Sequence, residues 1–123
     1  MYQADFAPST GLLVAATGFF RRKSTPWLDV LFCSHREVAT LRIAAPGMTD
    51  EALSDAADIL VANIEAVQFP KVLQPLANGA VNALISIASV GDTLRRDEAN
   101  VECELAEAED YLATALALVE TVR

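Results

Sequence analysis

Apolar residues return at helical intervals through most of the chain after residue 50. At the C-terminal end, Val101, Leu105, Ala108, Leu112, Ala115, Val119 and Val122 follow one another at alternating spacings of 4 and 3. This heptad-like stripe predicts a helix over about 93–121, laid along one or more others. Leu94 extends it backwards by one heptad, with Glu98 filling the place between. Past Tyr111 the apolar face widens through Leu116 and Leu118. A bundle helix needs such a face and a two-stranded zipper does not, so the last twelve residues are expected to be buried on several sides.

A second helix is predicted over about 73–90, where Leu73, Leu76, Ala80, Leu84, Ile87 and Val90 share a face. Ala77, Gly79, Ala83, Ser86, Ala88 and Ser89 make the same stretch rich in small side chains, which let helix axes approach closely. It therefore reads as the central, most buried helix. Pro70 and Pro75 fall at or before its start, where proline is tolerated. Gly91 suits the left-handed position after a helix, and Asp92 is a good N-cap for the next.

A third helix is predicted over about 50–68. Thr49 supplies a capping hydroxyl, Asp50 and Glu51 favour the positive end of the dipole, and Leu53, Ala56, Ala57, Leu60, Ile64 and Val67 form the inner face. It should stop near Phe69-Pro70, because the residue before a proline avoids helical angles. Ala45-Pro46-Gly47 separates it from the N-terminal third.

That third carries two patterns. Trp27, Leu31, Val38 and Leu41 could share a helical face after the start-like Ser24-Thr25-Pro26. Ala39, Leu41 and Ile43, alternating with Thr40 and Arg42, instead read as a half-buried strand rich in strand formers. The second pattern predicts a small β-hairpin, with Ser34-His35-Arg36 turning between Leu28–Cys33 and Glu37–Ile43. Thr10–Phe20 could form a further short helix or strand, weakened by Gly11 and Gly18. The fold class expected is mainly α, a bundle of three long C-terminal helices with an N-terminal segment packed across them, and α+β if the hairpin forms.

Composition agrees. The chain has 123 residues, which fits a single domain over 1–123 with a real core. Of these, 22 are alanine, and only five glycines and five prolines are present, too few for an all-β protein of short strands. A hydrophobic content of 53% excludes intrinsic disorder.

Charge is unevenly placed. Residues 1–48 hold five Lys/Arg against three acids, or +2, and residues 49–123 hold four against fourteen, or −10. Nucleic acid and anionic lipid are bound by neutralising phosphates, so direct binding of either is not expected. Arg21-Arg22-Lys23 beside Phe19-Phe20 is the one basic exception and reads as a solvated helix end and core aromatics. Trp27 is expected to plug the core where the N-terminal segment meets the helices. Residues 1–20 lack the pattern of a secretory signal, and no apolar stretch approaches the ~20 residues of a membrane span. The expected address is the cytoplasm, with both Cys33 and Cys103 reduced.

Seven carboxylates and no basic side chain lie between Asp97 and Asp110. On a helix, Glu98 and Glu102 are four apart and Glu107 and Asp110 three apart, so each pair lies on one face. Paired helical carboxylates hold di-iron when Glu-x-x-His motifs accompany them, but His35 is the only histidine. No metal site and no cofactor is expected. Cys33 and His35 would share a strand face, yet a buried thiol and a turn histidine explain them better than a nucleophile pair. Nucleotide loops, nucleophile elbows and C-x-x-C are absent, and Asn63, Asn78 and Asn82 read as exposed.

These features point to a small acidic non-enzymatic interaction module of adaptor, inhibitor, immunity-protein or chaperone type. It would dock a basic partner protein through Glu98, Glu102, Glu107, Glu109 and Asp110. Two alternatives stand beside it. In one, the carboxylates mimic phosphates and inhibit a DNA- or RNA-binding protein. In the other, the widened face near Leu112–Val122 makes a self-assembling homodimer.

Overall fold

Residues 26–92 and 96–122 are described in the computed structural model of the protein. Helix α1 runs Pro26–Ala44, α2 Asp50–Glu65, α3 Gln74–Ala88 and α4 Glu98–Val122. Single 3-10 turns, Ala45–Gly47 and Ser89–Asp92, follow α1 and α3, and no strand occurs among the described residues.

The expected hairpin over Leu28–Cys33 and Glu37–Ile43 is replaced by α1. Its inner face is Leu31, Ser34, Val38 and Leu41, continued by Ala45 in the following turn, and all five are buried. The spacing is that of the Trp27, Leu31, Val38, Leu41 helical face, completed by Ser34. This serine, placed in the turn by the strand reading, is only 3% exposed and hides the period because it is polar. Strand propensities span about 1 kcal/mol and give way when a whole helical face can be buried. Thr10–Phe20, Arg21-Arg22-Lys23 and Leu94 lie outside the described residues.

The other three helices form where their periodicity places them. Thr49 Oγ1 accepts the Ala52 N–H at 3.1 Å, and Leu53, Ala57, Leu60 and Ile64 face inward on α2. Helix α3 buries Ala77, Ala80, Val81, Ala83, Leu84 and Ile87 and packs against both α2 and α4. On α4 the stripe Val101, Leu105, Ala108, Leu112, Ala115, Val119 is buried throughout. Its start differs from expectation: Asp97, not Asp92, is the cap, its Oδ1 accepting the Asn100 N–H at 3.2 Å. The last turns are also less enclosed than expected, since Leu116 and Leu118 are half-buried while Ala113, Thr114 and Ala117 are exposed.

Contacts between helix ends fix the topology. Arg42, in the last turn of α1, meets Glu102 and Glu109 near the start of α4, so these helices are antiparallel. Trp27 at the start of α1 stacks at a tilt on Phe69, just beyond the end of α2. Ser54, early in α2, donates to the Ala88 carbonyl at the end of α3. Sequential neighbours therefore alternate in direction, and α4 closes the ring against α1 in an up-down-up-down four-helix bundle. The core is one continuous cluster of aliphatic and alanine side chains, joined by Phe69.

A close approach of backbone and side chain lies between α3 and α4, where Tyr111 covers Gly79. A Cβ built on Gly79 would lie 2.6 Å from Cζ of Tyr111. Exchanging a mid-helix glycine for alanine ordinarily stabilises by about 1 kcal/mol. Here the aromatic ring must first swing off α3. Urea unfolding should show Gly79→Ala destabilising by about 1–2 kcal/mol in the native chain. In a Tyr111→Ala background the same change should stabilise by about 1 kcal/mol. Stabilisation in both backgrounds would contradict this packing.

Candidate functional site

The five carboxylates singled out on α4 divide into two groups once the helix is wound. Glu98, Glu102 and Glu109 follow one another at intervals of four and seven and share the flank turned towards α1. Glu107 and Asp110 are exposed on other faces. The first group is already paired with cations of the same chain, and the second is not.

Arg42 supplies one cation. Its Nε donates to Glu102 Oε2 at 2.7 Å and its Nη1 to Glu109 Oε1 at 3.0 Å. Seven residues of helix rise ~10.5 Å, so one planar guanidinium ties two points about two turns apart on α4 to α1. Donation to Glu102, followed by donation to Glu109, raises the Arg42 pKa still further above an already basic value.

Arg96 supplies the other and lies deeper, with a side chain only 10% exposed. Its Nη2 donates to the Ala45 carbonyl at 3.0 Å and its Nη1 to the Met48 carbonyl at 2.9 Å. The same guanidinium meets Asp50 Oδ1 at 3.0 Å and Glu98 Oε2 at 2.8 Å. Asp50 opens α2 and Glu98 opens α4, so each acid also stands at the positive end of a helix dipole. One largely enclosed cation thus donates to the carbonyls of the α1–α2 corner and pairs with the acids at two helix starts. Its donation to Glu98 is the main influence raising its pKa.

A second acidic surface emerges on α2. Glu51, Asp55, Asp58 and Glu65 are exposed, lie on its outward side, and form no ion pair with any described residue. The sequence held a signal for this face, because no Lys or Arg occurs between Asp50 and Glu65. It was masked by the denser acidic run on α4, and Asp50 and Glu51 were read only as dipole partners.

Chemistry elsewhere is sparse. On a helix Cys33 and His35 point about 200° apart, so the shared strand face disappears. Cys33 is exposed rather than buried; partial desolvation pushes its thiol pKa up, with the Arg36 charge pulling the other way. A raised pKa is the opposite of what an activated thiolate needs. Among the described residues no three His, Cys, Asp or Glu side chains group as metal ligands. Asn63, Asn78 and Asn82 are exposed. A cleft of about 290 Å³ opens between the end of α2 and the start of α3, lined by Ile64, Phe69, Ala77, Val81 and the polar Glu65 and Asn78. Glu65 is the one titratable group on its walls. No helix among the described residues is long and apolar enough to cross a membrane.

Because Arg96 is buried among carbonyls and acids, its removal should be felt in stability. Arg96→Met should lower the unfolding free energy by about 1–3 kcal/mol, since the Met48 carbonyl loses the guanidinium, the Ala45 carbonyl keeps only the Met48 N–H, and Asp50 and Glu98 lose their shared cation. Arg42→Met should cost less, its guanidinium being 38% exposed. Chemical denaturation of the two variants checks the order, and a reversed order would contradict the assigned roles. Comparison of the chain with protein families, with curated proteins and with solved structures finds no match.

Proposed function

We propose that this chain is a small, non-enzymatic interaction module that docks a basic protein partner through an acidic helix face. The observation that carries this reading is the outer face of α2, where Glu51, Asp55, Asp58 and Glu65 are exposed and ion-paired with no described residue. Unpaired like charges three and four apart destabilise a helix by a few tenths of a kcal/mol each. A basic partner turns that repulsion into attraction, and a net charge of −8 steers it in from a distance.

Of the five α4 carboxylates, Glu107 and Asp110 are free to meet a partner directly. Glu98, Glu102 and Glu109 add to the field, while their own contacts hold α4 in place. A cytoplasmic setting, with exposed Cys33 and Cys103 kept reduced, fits this reading. In its phosphate-mimicking form the partner is a nucleic-acid-binding protein, and added duplex competes for it.

A tagged full-length chain, exposed to lysate and washed at low and then high salt, tests the proposal. It should retain one dominant basic protein at low salt and release it at high salt. The variant Glu51→Lys/Asp55→Lys/Asp58→Lys, shown by circular dichroism to be folded, should lose that protein. Glu107→Lys/Asp110→Lys should weaken capture less. Equal capture by the native chain and the α2 variant would overturn the assignment to α2.

A further inference from the structure

The bundle leaves a second heptad pattern on its outside. On α1, Asp29, Phe32, Arg36, Ala39 and Ile43 succeed one another at spacings of 3 and 4, on the side opposite Leu31, Val38 and Leu41. Phe32 is 56% exposed and Ile43 84% exposed, the latter the most exposed large apolar residue described. On α4, Ala99, Cys103, Ala106, Asp110, Ala113 and Ala117 do the same opposite its buried stripe. One helix thus carries Phe32 and Ile43 outward and its neighbour mainly alanine; Arg36 and Asp110 lie near the middle of their rows, and Asp29 begins the α1 row. Arg36 is positive, Asp110 negative, and neither forms an ion pair with a described residue.

The register between the two rows is fixed by Arg42. Because it spans Glu102 and Glu109, residue 42 of α1 lies level with the middle of that interval on α4. The helices run antiparallel with equal rise, so levels can be followed residue by residue. Ile43 then lies level with Cys103–Ala106, Arg36 with Asp110–Ala113, and Phe32 with Ala113–Ala117. Within one chain these residues stand side by side and point the same way, outward. A two-fold axis parallel to the helices brings α1 of one copy in front of α4 of the other without changing any level. Arg36 then meets Asp110, while Phe32 and Ile43 each meet a gap between small residues, and the contact is made twice.

We infer that the outer face of α1 and α4 is an isologous interface with a second copy of this chain, held by Phe32, Ile43 and an Arg36–Asp110 pair across the two-fold axis. Large-into-small packing at heptad spacing is the geometry of knobs entering holes. Equal and opposite charges at the same level make the face self-complementary, as a two-fold interface requires. This surface shares only Asp110 with the carboxylates of the proposed docking reading and is otherwise separate from the outer face of α2, so the Phe32 and Ile43 variants tell a failure of self-association from a failure of partner docking. It also differs from the dimer face expected near Leu112–Val122, where Leu112, Ala115 and Val119 are consumed by the chain's own core.

Sedimentation velocity of the full-length chain across the micromolar range tests the inference. The native chain should move from the 13.2 kDa monomer to twice that mass as concentration rises. Phe32→Glu and Ile43→Glu should each give a monomer with unchanged helical content, since neither side chain belongs to the core. Arg36→Glu and Asp110→Arg should each weaken association about tenfold or more. The combined Arg36→Glu/Asp110→Arg variant should recover most of that loss. A native chain that stays monomeric throughout overturns the inference, as does a charge swap that fails to restore association.

Discussion

The guanidinium of Arg96 is the point from which this bundle is assembled. Two helix starts and a chain corner converge there: the carboxylates of Asp50 and Glu98, and the Ala45 and Met48 carbonyls. Without it, the Met48 carbonyl would lose the guanidinium and the Ala45 carbonyl would keep only the Met48 N–H, beside two acids without their shared cation. A buried polar group that loses its partner costs more than its hydrogen bond stabilises, so the arrangement is stringent. It fixes where α4 begins, and hence the level at which every later residue of α4 meets α1 and α3. Arg42 repeats the device two turns on, with Glu102 and Glu109.

Helix α4 has to satisfy three neighbours at once. Inward it offers a continuous stripe of Val, Leu and Ala that fills the core. Towards α1 it offers acids that need the two arginines, and towards α3 it lays Tyr111 over Gly79. Alanine and glycine on α3 let the axes come close enough for that aromatic contact. The outward side is left with small residues, Asp110 near its middle and Glu107 at its edge, neither acid ion-paired with a described residue. The acids of this helix are therefore part structure and part surface. The uncommitted negative charge concentrates on α2.

How much of this was legible in the sequence varies with the helix. The inner faces of α2, α3 and α4 could be read because their apolar periods run uninterrupted. In the sequence Asp92 and Asp97 are both of a type that caps a helix, and the structure uses the later one. Helix α1 was hidden by Ser34, a polar residue in a core position, and by β-branched neighbours that mimic a strand. The acidic run of α4 was visible as charge. Its partners were not, since Arg42 lies 60 and 67 residues from the two acids it meets. Distances of that kind along the chain become contacts only through the antiparallel return of the last helix.

The most direct test of the account is native-state hydrogen exchange on Arg96→Met. The Leu53 amide, bonded to the Thr49 carbonyl, reports the start of α2, and the Val101 amide, bonded to Asp97, reports the start of α4. If Arg96 joins the two starts, both amides should lose protection together and by a similar factor, while those of Leu84 and Leu112 keep theirs. Loss confined to Val101, or protection unchanged at both sites, would contradict the claim that one cation organises the bundle.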